Sequence, residues 1–335
     1  MWLWYNWRSA IVLSSELVVL DEEHWDGWKD IDAIAKRIKI LQQGMLTPEA
    51  NHLADRFDDA AILQDGHEDL PSFDWPRPSK EALSCLDQGM MRLGQQQLME
   101  TATNPDYRLE HLVNSCDELR ETTLIHEARI IEWLSMMYPQ AILGRDRVGL
   151  IRSLAKSEQV ADLANKWSVN APDYEEVNKE WKVMKKLAEI TNMSYKQLDA
   201  TEHQIRLVSE SYMPSLSLLL GPMLAARMCV AAHSRARLAR LPAGTIQILG
   251  AEQAFFEHLK HGSAPPKHGH LFMHPWVGKS PRWVRGKIAR MLAGKVCLAV
   301  RSDHFGGQIW DEKHVQEIKS KVESLIKNHP RPPKR

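Results

Sequence analysis

The chain has 335 residues, with 43 Lys and Arg against 43 Asp and Glu, 44% hydrophobic and 7% aromatic side chains. Zero formal charge with this apolar content excludes a disordered tail and a uniformly basic nucleic-acid coat, and the length fits two or three domains at roughly 150 residues each. The zero is a sum of unequal parts: residues 1–100 carry 9 Lys or Arg and 18 Asp or Glu, residues 101–214 carry 14 and 18, and residues 215–335 carry 20 and 7. An asymmetry this large predicts modules with different partners, the basic third facing a polyanion and the acidic third facing water or a basic protein.

The N-terminus sets Arg8 after three tryptophans and breaks its apolar run at Ser14, Ser15 and Glu16, which does not read as a secretory leader. The β-branched runs at 9–13 and 17–20 predict two strands, followed by an acidic turn at Asp21. From Trp28 to Leu41, Ile31, Ile34, Ala35, Ile38 and Leu41 recur at three and four, a helical period. Thr47-Pro48-Glu49 predicts a helix start, with a hydroxyl to cap free amides, a proline suited to the first position and an acid favourable to the dipole. Pro71, Pro76 and Pro78 make 69–79 a loop, so residues 1–80 read as a small α/β domain ending in a proline-rich crossing.

After Pro105, Leu109, Leu112, Cys116, Leu119, Thr123, His126, Ile130, Trp133 and Met137 step by three and four for four heptads. That is a coiled-coil seam in which Thr123 and His126 set register. Pro139 stops this helix. A second arm with Val177, Trp181, Met184 and Ala188 at the same stepping runs toward Tyr212, broken weakly near Asn192. Two such arms joined through 140–172 predict an antiparallel hairpin.

The apolar stretch 216–232 contains Pro222 and Arg227 and falls short of the roughly 20 residues that span a bilayer, so no membrane segment is expected. Cys85, Cys116, Cys229 and Cys297 lie far apart without paired spacing, as reduced thiols of a cytoplasmic protein would. The basic third is helical by period, with turns at 241–244, 262–269 and 274–276. The middle turn is stiffened by Pro265 and Pro266 and presents Lys267 and His268.

Residues 282–301 hold six Lys or Arg and no acid. On a helix, Ile288, Leu292, Val296 and Ala299 form one apolar stripe, while Arg282 and Arg285, and Lys287 and Arg290, are i,i+3 neighbours on polar flanks. Cations projected from one side of a rigid rod suit phosphate contacts; the plainer alternative is a solvated face. His258, His261, His268, His270 and His274 fall close together, but without cysteine nearby they predict no metal site. Cys229 and His233 at i,i+4 read as a buried thiol beside a satisfied histidine rather than a nucleophile and base. No Gly-x-Ser-x-Gly elbow, phosphate loop, Gly-x-Gly-x-x-Gly or His-Glu-x-x-His is present, and the chain does not read as an enzyme.

The run Leu241-Pro-Ala-Gly-Thr-Ile-Gln-Ile-Leu-Gly-Ala-Glu-Gln-Ala-Phe-Phe-Glu-His-Leu-Lys260, followed by Pro265-Pro-Lys-His-Gly269 and Arg285-Gly-Lys-Ile-Ala-Arg290, resembles the Nop domain of box C/D ribonucleoprotein core proteins. The helix ending in Glu132-Trp133 and Tyr138-Pro139 resembles the close of that family's first coiled-coil arm, and the acidic, Trp-rich start is similar in placement to its fibrillarin-binding domain. The likeness is strong over 215–305, moderate over 105–140 and weak before 100. The length and the short Pro330-Arg-Pro-Pro-Lys-Arg335 end look like the archaeal rather than the nucleolar members.

The resemblance implies a mainly α architecture: a small α/β fibrillarin-binding domain over 1–104, a long antiparallel coiled-coil hairpin for homodimerisation over 105–214, an all-helical Nop domain over 215–328, and a basic tail over 329–335. It implies a non-enzymatic scaffold for ribose 2′-O-methylation of rRNA or tRNA. Its partners would be a box C/D kink-turn guide RNA, a fibrillarin-like methyltransferase that itself carries S-adenosylmethionine, a ribosomal-protein-like kink-turn binder, and a second copy of itself. A spliceosomal-type Nop-domain assembly protein is the alternative. The implied RNA-side residues are Gln247, Gln253, His258, Lys260, Lys267, His268, Arg285, Lys287, Arg290 and Arg301. Gln253 stands where the family usually has Lys and Glu257 where it usually has Arg; both changes remove positive charge, which implies either a partner surface changed to match or a weaker contact here, with His258, Lys260 and Lys267 as the cations that could compensate.

Overall fold

The computed structural model describes residues 1–64, 73–142, 146–172 and 177–332. The chain divides into two compact units, Met1–Asn104 and Pro105–Arg335.

The first unit is built on a four-stranded sheet. β1 (Trp2–Tyr5) pairs antiparallel with β2 (Ser9–Leu13), which pairs antiparallel with β3 (Val19–His24). The turn between β1 and β2 closes on Asn6, whose Oδ1 accepts from the amides of Arg8 and Ser9 at 2.8 Å each. After α1 (Ile31–Gln42) and α2 (Pro48–Arg56) the chain returns as β4 (Ala61–Gln64), parallel to β1, for a strand order β3-β2-β1-β4. α3 (Lys80–Thr103) packs on α1.

Strand alternation separates two cores: Leu3, Tyr5, Ala10 and Val12 meet Ala50 and Leu53 of α2, while Trp4, Ile11 and Leu13 meet Phe73 and Trp75. Trp75 stacks on Trp4 at 4.9 Å between ring centroids, which ties the proline-rich segment to the sheet. The part of that predicted loop at 69–72 lies outside the described residues, and 73–79 is irregular as expected. The strand predicted at 17–20 instead begins at Val19 and continues through Asp21, Glu22 and Glu23, an edge strand whose charges discourage further pairing. Thr47 precedes α2 as expected, but its hydroxyl is buried and makes no cap bond, so the helix start rests on Pro48.

The second unit begins with α4 (Pro105–Met137) and passes through α5 (Pro139–Ile142), α6 (Arg147–Lys156) and α7 (Val160–Trp167) to α8 (Val177–Tyr212). α4 and α8 form the antiparallel hairpin: Arg120 pairs with Glu202 at 2.5 Å, and Tyr195 Oη donates to Glu127 at 2.8 Å. Of the predicted seam, Leu109, Cys116, Thr123, Ile130 and Met137 are buried, while Leu112, Leu119, His126 and Trp133 are only half-buried. Thr123 Oγ1 donates back to the Leu119 carbonyl at 2.6 Å, so this seam hydroxyl is satisfied within its own helix. α8 runs without the break expected at Asn192. An asparagine costs a helix well under 1 kcal/mol, and the burial of Ala188, Thr191 and Leu198 around it outweighs that.

Beyond the hairpin come α9 (Pro214–Leu220), α10 (Pro222–Ala231), α11 (Arg235–Arg240), α12 (Ala243–Ile248) and α13 (Glu252–His261). A 3₁₀ turn (His270–Met273), α14 (Pro275–Gly278), α15 (Arg282–Phe305) and α16 (Glu312–Lys327) follow. α15 is the axis of this region, burying Ile288, Leu292, Val296 and Ala299 as its sequence period predicted. Asp303 accepts from the Ser215 and Leu216 amides at 2.9 Å, capping α9 from the far end of α15. Arg227 of α10 forms a two-pronged ion pair with Asp117 of α4, joining this core to the hairpin. Among the described residues no single helix is long and apolar enough to cross a membrane; α9 and α10 together are apolar, but they bend by 114° and are largely buried.

Candidate nucleic-acid interface

Opposite its buried stripe, α15 exposes Arg282, Lys287 and Arg290. The 262–269 loop lies along this face because α12 holds it: Gln247 Nε2 donates to the Lys267 carbonyl at 2.7 Å, the Gly269 amide to Gln247 O at 2.9 Å, and the His270 amide to Leu249 O at 2.8 Å. Gly269 allows the approach, since a Cβ there would stand 2.0 Å from the Leu249 carbonyl oxygen. The result is a cleft of about 800 Å³ walled by Gln247, Lys267, Arg282, Lys287 and Arg290, with Pro265, Pro266, Trp283, Met291 and Leu325 among its apolar lining. Among the described residues no carboxylate lines it. Four cations lining one concavity make a positive surface suited to phosphates.

The expected RNA-side residues fall into three groups. Gln247, Lys267, Lys287 and Arg290 are brought together in the cleft. Gln253, His258 and Lys260 lie on α13, a helix with no buried residue. There His258 Nδ1 contacts the Ser263 carbonyl oxygen, and Glu257, the acidic departure, sits 3.7 Å from His261. The third group is tied to neighbouring groups of the fold, with Arg285 and His268 half-buried and Arg301 exposed. Arg285 donates from Nε to Ser280 O at 2.8 Å and from Nη2 to Gly278 O at 2.9 Å, His268 stacks on Phe272 at 4.7 Å, and Arg301 Nε donates to Ala239 O at 3.0 Å.

In the sequence Arg282 reads only as a flank, and nothing singles out Trp283, Met291 or Leu325. The available signal was the i,i+4 row Arg282, Gly286, Arg290 with Trp283 and Lys287 beside it, which turns Arg285 away.

The five clustered histidines diverge. His274 caps α14, accepting from the Trp276 amide at 3.2 Å, and burial lowers its pKa to about 4. Burial also lowers His268 and His270. Among the described residues no group of three or more His, Cys, Asp or Glu could hold a metal ion. Cys229 is buried, as expected, and burial followed by the charge of Asp106 pushes its thiol far above the usual range, which disfavours the thiolate. His233 does not lie beside it as a satisfied partner: α10 ends at Ala231, and His233 is exposed in a left-handed conformation at φ 68°.

Residues 117–327 match the family model described as "Nop: snoRNA binding domain, fibrillarin". The chain belongs to the Nop family. This Nop-family chain is 31% identical over 253 residues to an uncharacterized NOP5 family protein of Methanocaldococcus jannaschii, covering 69% of this chain and 60% of that protein. It is 28% identical to Nucleolar protein 58 of Scheffersomyces stipitis, covering 89% of this chain and 62% of the relative. Against Nucleolar protein 56 of Caenorhabditis elegans the identity is 46% over 92 residues, 28% of this chain and 19% of the relative. The Nop-family chain thus spans about three fifths of the length of the first two relatives. Among solved structures, a chain of a fibrillarin/Nop5p complex aligns with 96% of this chain and 99% of its own length, at TM-score 0.43 and 19% identity.

Proposed function

We propose that this chain is a non-catalytic RNA-binding scaffold of a box C/D guide ribonucleoprotein, which directs ribose 2′-O-methylation of rRNA or tRNA. The observation that carries the reading is the acid-free cationic cleft inside the span that matches a snoRNA-binding family model. The cleft and α13 contact the kink-turn guide RNA and the small ribosomal-protein-like binder seated on it. α13 suits such a joint surface because Phe256 and Leu259 are 56% and 63% exposed beside Lys260. Leu124, Ile125, Met136, Val183 and Met193 stand exposed on the hairpin, which supports pairing of two copies there. The acidic N-terminal unit receives a fibrillarin-like methyltransferase, which supplies both S-adenosylmethionine and the methyl-transfer chemistry.

Reconstitution with methyltransferase, kink-turn binder and guide RNA tests this. Methylation is expected only when every component is present, with none from this chain alone. Undiminished methylation without this chain overturns the reading. Capture of the methyltransferase by the full chain, lost on deletion of residues 1–104, separates this reading from a spliceosomal assembly role.

A further inference from the structure

We propose that the cleft between α15 and the 262–269 loop is a nucleotide pocket, taking one unpaired RNA base against Trp283 while the adjoining phosphates lie on Lys267, Lys287 and Arg290. This deepens the RNA-binding reading and rests on it. A groove that only tracks phosphates needs cations alone, yet this one couples its cations to an apolar interior of Pro265, Pro266, Trp283, Met291 and Leu325. Its volume of about 800 Å³ is far more than a phosphate group occupies and lies in the range of pockets that enclose small organic ligands.

Trp283 is the anchor. It is 39% exposed on the first turn of α15, one turn before Lys287, which places an aromatic surface beside a cation. The indole N–H is already committed to the His329 carbonyl at 2.9 Å, so the ring is held in place and offers a ligand only apolar surface. Proline supplies no amide donor, so Pro265 and Pro266 add rigid apolar wall without hydrogen-bond readout. Cationic rim, fixed aromatic and apolar wall are the elements by which proteins hold single-stranded nucleic acid through base stacking, largely independent of sequence. An acidic peptide would satisfy the cations but leave the apolar interior without a role.

The test uses the full chain at low salt, titrated with a fluorescent hexauridylate and with an abasic ribose-phosphate hexamer of equal charge. Wild type is expected to bind the base-bearing oligomer about 5- to 100-fold more tightly, the span that one stacked base supplies. Trp283→Ala should erase that preference without changing the salt slope, and Trp283→Phe, which keeps an aromatic ring and the fold, should retain most of it. Equal binding of both oligomers by wild type overturns the nucleotide pocket, as does a preference that survives Trp283→Ala or displacement of hexauridylate by hexaglutamate at equal concentration. In each of those cases the broader RNA-binding reading stands if Lys287→Ala and Arg290→Ala still lower the salt slope. Absence of binding by both oligomers overturns the pocket, whereas the broader reading falls only if the reconstitution with kink-turn guide RNA and its binder fails.

Discussion

The side chain of Lys267 crosses α15 at Gly286, where an added methyl group would lie 3.6 Å from its Cβ and 3.8 Å from its Cδ. The loop cation is therefore braced against the helix it accompanies, and the helix contributes a residue without a side chain at the crossing. Those distances are ordinary van der Waals contact, so Gly286→Ala fits. Replacing a helical glycine by alanine should raise stability by about 0.5–1 kcal/mol, seen as a higher urea midpoint, with RNA affinity unchanged. Gly286→Glu should instead place a carboxylate in the cleft and lower RNA affinity by tenfold or more in a filter-binding titration, with secondary structure intact by circular dichroism.

Arg285 and its neighbours Lys287 and Arg290 should part company under mutation. The Arg285 guanidinium is engaged with the carbonyls of Gly278 and Ser280 and lies over the Phe272 ring at 5.3 Å, holding the turn before α15. Its removal leaves two carbonyls short of a charged donor, at a cost of about 1–3 kcal/mol. Arg285→Ala is thus expected to lower the denaturant midpoint while the salt dependence of RNA binding stays near wild type. Lys287→Ala with Arg290→Ala should do the reverse, flattening the log–log salt slope by about one unit per lost phosphate contact, with only a small stability change from losing the exposed contact of Lys287 Nζ with His329 Nε2 at 2.5 Å.

How far the sequence reveals this molecule follows from where each signal is stored. The hairpin and the buried stripe of α15 are legible because one face repeats at helical spacing over many turns, as Leu109 to Met137 and Ile288 to Ala299 do. β1 is not, because Leu3, Trp4 and Tyr5 are all buried and give a short strand no polar alternation to announce it. The cationic half of the cleft is legible in the acid-free run 282–301. Its apolar half is not, since Leu325 arrives from α16, some 40 residues along, and Pro265 and Pro266 arrive from a loop. Nor does i,i+3 spacing tell that Arg285 points to carbonyls while Arg290 points to the cleft.

In the N-terminal unit, Arg37 concentrates the risk. It is 7% exposed, donates from Nε to the Trp7 carbonyl at 2.7 Å, pairs with Glu49 of α2, and lies over the Trp25 ring at 4.4 Å. Removing one partner of a buried pair strands the other, which costs about 3–5 kcal/mol. Arg37→Leu is expected to speed amide exchange throughout β1, β2 and α2 while leaving α15 protected, and Arg37→Leu with Glu49→Leu should recover much of the loss. Equal exchange in wild type and the single variant would show that the pair contributes little.

Acid should destabilise the helical unit through His274. In the unfolded chain its imidazole takes up a proton near the ordinary value of 6.5, whereas burial holds it to about 4 in the fold, with the hydrogen-bonded Leu219 backbone opposing that shift only in part. Between those values the unfolded state binds more protons, so the stabilisation is complete above pH 6.5 and drains away as the pH falls toward 4, by up to about 3 kcal/mol. His268 and His270 are lowered in the same direction and add to the slope. Asparagine retains a side-chain oxygen for the Trp276 amide and cannot titrate. His274→Asn should therefore show a shallower loss of urea midpoint between neutral pH and about pH 4 than wild type does. An unchanged slope would assign the acid sensitivity to other groups.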